Sequence, residues 1–169
     1  DQRVQSVSAD TVSLIPSRQL EDDAMVNFRM SGGIVGRLWT SACAIGRQHG
    51  LTIQVFGETG GLRWAQEQPN QLYYTPVGGR TTIIERGEAN LSPEADKSSR
   101  VTIGHAEGMP LAFANIYAEL HAVICEQREK GNAISSSLLP LASDGAESIK
   151  AIYAVAKSGQ ARGKWVELN

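Results

Sequence analysis

The sequence predicts an α+β fold, an open, mostly antiparallel (mixed) sheet of six or seven strands with two main helices on one face. Two observations predict it. Short segments in which every second residue is apolar, separated by glycine-rich turns, fill the first half of the chain. Apolar residues at helical spacing dominate the remainder. The length of 169 residues suits a single domain over 1–169.

The strand segments are recognised by their alternation. Ala24, Val26, Phe28 and Met30 share one face, which is typical of a half-buried strand. The turn at 31–33 then predicts a hairpin, because glycine adopts positive φ without steric cost. The predicted strands are 4–15, 24–30, 34–43, 51–55, 62–65, 72–75 and 81–86, with a closing edge strand at 165–168 and a surface loop at 88–99.

Two helices are predicted after this meander. Pro110 suits the start of the first, and Gly131 follows its last turn. The apolar stripe expected to dock this helix on the sheet comprises Phe113, Ile116, Tyr117, Leu120 and Ile124. Asp144 precedes the second helix, whose stripe comprises Ile149, Ile152, Tyr153 and Ala156.

Composition excludes several classes of function. The net charge is -2, so the chain lacks the dense Lys/Arg footprint that nucleic-acid binding requires. No apolar run approaches a membrane span, and the polar N-terminus is no signal peptide. Cys43 and Cys125 form no C-x-x-C pair, which favours a reducing, cytoplasmic location. The missing initiator methionine favours a fragment of a longer chain or a processed one.

Cofactor and metal motifs are missing from the sequence. The glycines at 32, 33 and 36, and at 57, 60 and 61, lie between predicted strands rather than at a strand-to-helix turn. No G-x-G-x-x-G, Walker motif, nucleophile elbow or metal-spaced His/Cys set is present. We therefore expect this chain alone to bind no cofactor and no metal.

His105 is the best candidate for chemistry. It precedes a helix start, where unpaired N–H groups attract negative charge and polar ligands, and Glu107 is close enough to orient its ring. The alternative is an ordinary loop histidine.

The sheet offers a second functional feature. Two helices cover only one face, and the other carries Val35, Arg37, Trp39 and Cys43 or their alternates. A partner surface is expected there, and the alternative is a sheet that curls over itself.

Four stretches of the chain, taken in order, resemble the C-terminal domain of the Gfo/Idh/MocA oxidoreductases. The central hairpins of that domain are similar to the patterns G-x-x-G-x-L-x-W and P-N-x-L in this chain. Its substrate-side loop and following helix are similar to the patterns G-H-x-E-G and A-F-A-N-x-Y. The stretches are DDAMVNFRMSGGIVGRLWTSA, LTIQVFGETGGLRWAQEQPNQL, GHAEGMPLAFANIYAEL and LPLASDGAESIKAIYAVAKSGQARGKWVEL.

The resemblance implies an α+β domain that supplies part of a substrate pocket and the oligomer interface. It further implies a parent enzyme in which a separate Rossmann domain, absent from this chain, binds NAD or NADP for hydride transfer on a sugar, inositol or related polyol. The residues carried over are His105 and Glu107, with Asn115 and Tyr117 as further substrate-binding candidates. The family's E-K-P lysine and acid–histidine pair have no match here, so no catalytic residue is assigned in this chain. The competing hypothesis is a non-catalytic α+β module that self-associates through its sheet face.

Overall fold

The computed structural model describes residues 2–131 and 139–168. It contains eight strands, β1 Val4–Val12, β2 Asp23–Met30, β3 Val35–Ser41, β4 Thr52–Phe56, β5 Gly60–Ala65, β6 Gln71–Pro76, β7 Thr82–Glu85 and β8 Val166–Glu167. Its helices are α1 Pro93–Ser98, α2 Met109–Lys130 and α3 Ala142–Gln160. The chain forms two compact units, residues 1–46 with 140–169, and residues 47–139.

The first unit is a four-stranded sheet in the order β3-β2-β1-β8, with α3 against β1. All of its strand pairs are antiparallel. Val7, Ala9 and Val26 lie on one face of the sheet and form a core with Ala154 of α3. Small residues let helix and strand approach closely. The buried Ser158 hydroxyl accepts a hydrogen bond from the Ala9 N–H at 2.8 Å and donates one to the Lys164 carbonyl at 2.6 Å.

A buried carboxylate fixes the loop between β1 and β2. Asp22 accepts hydrogen bonds from the N–H groups of Leu14 at 2.7 Å and Ile15 at 3.1 Å. The Leu14 N–H, with smaller contributions from Ile15, the Cys43 thiol and Arg18, holds the pKa of Asp22 below its usual range against the opposing effect of burial. Burial, with Asp22 beside it, raises the pKa of the Cys43 thiol, which favours an unreactive thiol.

The second unit contains the antiparallel meander β4-β5-β6-β7. Directly paired residues point to the same face of an antiparallel sheet. One face is therefore largely apolar and carries Ile53, Val55, Leu62, Trp64, Leu72, Tyr74 and Ile84. The opposite face carries the row Gln54, Arg63, Tyr73 and Ile83. The two faces thus differ sharply in polarity.

The helices of the second unit differ partly from expectation. The segment predicted as a surface loop contains α1, which begins where the Ser92 hydroxyl accepts a hydrogen bond from the Ala95 N–H and Pro93 opens the first turn. The first predicted helix is confirmed as α2, which ends at Gly131, where φ is 67°. Its apolar stripe is not buried as expected: Phe113, Ile116, Leu120 and Ile124 are each about half exposed, and Tyr117 is 68% exposed.

The predicted α+β class with open antiparallel strands is confirmed, and the edge strand near the C-terminus is present as β8. The structure differs in dividing the strands into two sheets of four instead of one of six or seven. The residues between β3 and β4 include Gly46 and Gly50, both at positive φ. No hydrogen-bonded pairing of β3 with β4 is found among the described residues. Strand counting along a sequence does not detect such a division.

Gly159 tests the packing of α3 on β1. A Cβ at this position would lie 2.2 Å from the Thr11 Oγ1 atom. We expect Gly159→Ala to lower the free energy of unfolding by roughly 1–3 kcal/mol through overpacking, measured by urea denaturation. Gly145→Ala in the same helix is the matched control, because a Cβ added there would meet nothing within 4 Å. It should instead raise stability, by about 0.5–1 kcal/mol. Equal effects of the two variants would contradict the packing.

Candidate functional site

His105 lies in the loop 99–108, which connects α1 to α2 within the second unit. Gly104 adopts φ 84°, a left-handed conformation that favours glycine, and the His105 N–H donates to the Thr102 carbonyl at 3.1 Å. This tight turn presents the His105 side chain at the surface. Its imidazole makes no hydrogen bond or ion pair with any residue that the structure describes, so it is available to a ligand.

An arginine at the end of β7 holds this loop. The guanidinium of Arg86 donates from Nη1 to the Val101 carbonyl at 2.7 Å and from Nη2 to the His105 carbonyl at 2.6 Å. Its Nε donates to Asn70 Oδ1 at 3.1 Å. The Arg86 side chain is only 15% exposed, so these bonds form in a partly desolvated setting that strengthens them.

Glu107 completes the support of the loop from its other end. Its Oε1 lies 3.2 Å from Arg86 Nη1, and its side chain is 8% exposed. The same carboxylate accepts hydrogen bonds from the backbone N–H groups of Arg100 and Val101. Glu107 therefore binds its own loop in this structure, and no contact with the imidazole of His105 is found among the described residues.

Asn115 and Tyr117 lie on the first turns of α2 and differ in their surroundings. Asn115 accepts a hydrogen bond from Arg100 Nε and donates one to the Ser98 carbonyl at 2.7 Å, so it ties α1 to α2. Tyr117 is 68% exposed, and its hydroxyl makes no hydrogen bond with any part of the chain that the structure describes. Within residues 2–131 and 139–168, the side chains of His105 and Tyr117 make no hydrogen bond, whereas those of Glu107 and Asn115 do.

Sequence reasoning missed Arg86, Asn70 and Arg100, which organise this loop. In the sequence Arg86 falls at the end of a predicted strand, and Asn70 in the turn of the P-N-x-L pattern. The only local pattern that marks Arg86 is an arginine followed by a glycine at a strand end, Arg86-Gly87. This pattern is common in turns and therefore does not indicate a role in holding the loop. Their partners lie far along the sequence, and no local period reports such a pairing.

A cavity of the second unit lies elsewhere. It has a volume of about 620 Å³ and lies over the polar face of the sheet, where its lining includes Gln54, Phe56, Arg63, Tyr73 and Thr75. None of the four predicted residues lines it. We favour the loop 99–108 as the site, because it presents the exposed imidazole of His105 on a backbone that Arg86 and Glu107 hold in place.

Neither a metal site nor a membrane-spanning helix is found in the described ranges. No cluster of His, Cys, Asp or Glu within residues 2–131 and 139–168 could hold a metal ion. In the same ranges, none of the helices has the length and apolar character needed to cross a membrane.

Comparison with known proteins supports one family. A family model described as the GFO/IDH/MocA C-terminal domain matches residues 1–63. An oxidoreductase structure from Sinorhizobium meliloti is 35% identical over 98% of this chain and superposes with a TM-score of 0.89. These comparisons support a C-terminal domain of the Gfo/Idh/MocA oxidoreductase family. The resemblance found in the sequence is thereby confirmed.

Two further relatives of this Gfo/Idh/MocA domain bear on function. An inositol dehydrogenase homolog from Azotobacter vinelandii, complexed with NADH and myo-inositol, is 30% identical over 99% of the chain, with a TM-score of 0.92. An uncharacterized oxidoreductase, YfiI of Bacillus subtilis, is 29% identical over 98% of it. The chain spans 42% of YfiI, 45% of the Azotobacter protein and 47% of the Sinorhizobium protein, less than half of each.

Proposed function

We propose that this Gfo/Idh/MocA domain is the substrate-side portion of a cytoplasmic NAD(P)-dependent oxidoreductase that transfers a hydride to or from a sugar, inositol or related polyol. The observation that carries the proposal is the likeness, over 99% of the chain, to an inositol dehydrogenase homolog complexed with NADH and myo-inositol. In this proposal a separate Rossmann domain of the parent binds the cofactor, NAD or NADP, and the chain alone binds neither.

The loop 99–108 is the part of this domain that we assign to the substrate. A polyol presents hydroxyl groups, which both donate and accept hydrogen bonds. The exposed imidazole of His105 offers one donor and one acceptor in its neutral form, and the exposed phenol of Tyr117 offers both functions in one atom. We propose that these two side chains contact the substrate, whereas Glu107 and Asn115 contribute by shaping the loop and the start of α2.

Substitution of His105 tests this assignment in the parent enzyme. We expect His105→Ala to lower kcat/KM by at least about tenfold, equivalent to about 1.4 kcal/mol of transition-state stabilisation. The matched control is His121→Ala on α2, whose Nε2 lies 3.5 Å from the Cys125 sulfur within the same helix. The control should leave steady-state kinetics unchanged. Wild-type kinetics in His105→Ala would return His105 to the class of ordinary loop residues.

Self-association is the second component of the proposed function. The apolar face of the β4–β7 sheet leaves Ile53 and Val55 about half exposed, and Leu62 is 39% exposed. Contiguous apolar surface of this kind marks an interaction site in a folded protein. We propose that a second copy of the parent covers this face.

One strand supplies both a test variant and its control for self-association. Val55 and Gln54 are neighbours on β4, and their side chains point to opposite faces of the sheet. Light scattering on the parent should show a dimer or larger assembly, which Val55→Lys dissociates and Gln54→Lys preserves. A monomeric wild type, or equal dissociation by both variants, would contradict the assignment of the interface.

A further inference from the structure

We propose that Arg86 is the positioning residue for His105: its guanidinium, oriented by Asn70 and paired with Glu107, fixes the loop 99–108 so that the imidazole is presented outward. This inference rests on the proposed function, because it gives His105 its role at the substrate. No motif noted in the sequence contains Arg86.

The geometry with which Arg86 binds the loop 99–108 is specific to arginine. The two terminal nitrogens of Arg86 bind the Val101 and His105 carbonyls at 2.7 and 2.6 Å, and these carbonyls are four residues apart. One rigid planar group therefore spans the segment 101–105, so neither end can shift without breaking a charge-assisted bond. A lysine keeps the charge, but its single nitrogen cannot reproduce this fork.

The charge of Arg86 is matched by the carboxylate of Glu107, two residues beyond His105. Glu107 pairs with Arg86 at 3.2 Å and binds the N–H groups of Arg100 and Val101. The backbone on both sides of His105 is thus tied to one ion pair. Both side chains are largely withdrawn from water, so loss of either partner would leave a charge that the loop must move to solvate.

Asn70 determines where the guanidinium lies. Its carbonyl accepts the Arg86 N–H at 2.9 Å, and its side-chain oxygen accepts Arg86 Nε at 3.1 Å. Asn70 immediately precedes β6, and Arg86 immediately follows β7, its partner strand. The asparagine of P-N-x-L and the glutamate of G-H-x-E-G therefore hold the same arginine, which gives one physical reason for both patterns.

The test uses Arg86→Lys in the full-length parent, with Arg63→Lys as the matched control. Arg63 is an exposed arginine on β5 of the same unit, and its guanidinium lies 5.5 Å from the Tyr73 ring. Hydrogen exchange is measured for the amides of residues 100–107 and of β4–β7. We expect exchange in the loop to accelerate by at least about tenfold in Arg86→Lys only, while the strands keep their protection.

A double-mutant cycle then separates positioning from a merely structural role, with NAD and myo-inositol as the probe reaction. Arg86→Lys should lower kcat/KM by about tenfold and should cause no further loss in a His105→Ala background. Additive losses, or a loop whose exchange is unchanged, would overturn the positioning role. If exchange in the loop accelerates but neither Arg86→Lys nor His105→Ala changes kcat/KM, the positioning role is also overturned. That outcome would contradict the proposed role of His105 and would leave the contacts between Arg86 and the loop intact.

Discussion

The ion pair between Arg86 and Glu107 is the interaction on which the candidate site depends. It joins the end of β7, both ends of the segment 101–105 and the residues that lead into α2. Arginine can do this because its donors are fixed in one plane, and glutamate because its carboxylate accepts several bonds at once. Their low exposure makes these contacts cooperative, since each polar group left unpaired would incur a desolvation cost. A solvent-exposed imidazole can thereby be carried on a well-defined loop.

The first unit reaches its stability by a different physical route. Its core is small, and α3 approaches β1 through Ala154, Ser158 and Gly159 instead of large side chains. The buried Ser158 hydroxyl forms hydrogen bonds with backbone groups that such close approach would otherwise leave without a partner. Asp22 does the same for the backbone of the loop between β1 and β2. In both units, therefore, buried polar side chains bind main-chain groups and fix the irregular segments.

Local periodicity predicted the elements well, and long-range pairing only poorly. The alternation at 24–30 matches β2, and the helical spacing after Pro110 matches α2, because each pattern depends on neighbours one turn or two residues away. The division into two sheets depends on which strands exchange hydrogen bonds, and no single segment encodes that choice. The site shows the same limit. The place of His105 before a helix is visible in the sequence, but the carboxylate of Glu107, expected to orient the imidazole, instead binds Arg86 and backbone N–H groups.

The similarity of this chain to the Gfo/Idh/MocA C-terminal domain and the exposed imidazole of His105 together support a role on the substrate side of a hydride-transfer enzyme. The most direct measurement compares the 169-residue chain with its full-length parent for NAD(P)H formation on addition of cyclic polyols, beginning with myo-inositol. We expect polyol-dependent reduction of the cofactor by the parent and none by the chain alone. Turnover by the chain alone, or a parent that reduces no cofactor with any sugar or polyol, would contradict this role.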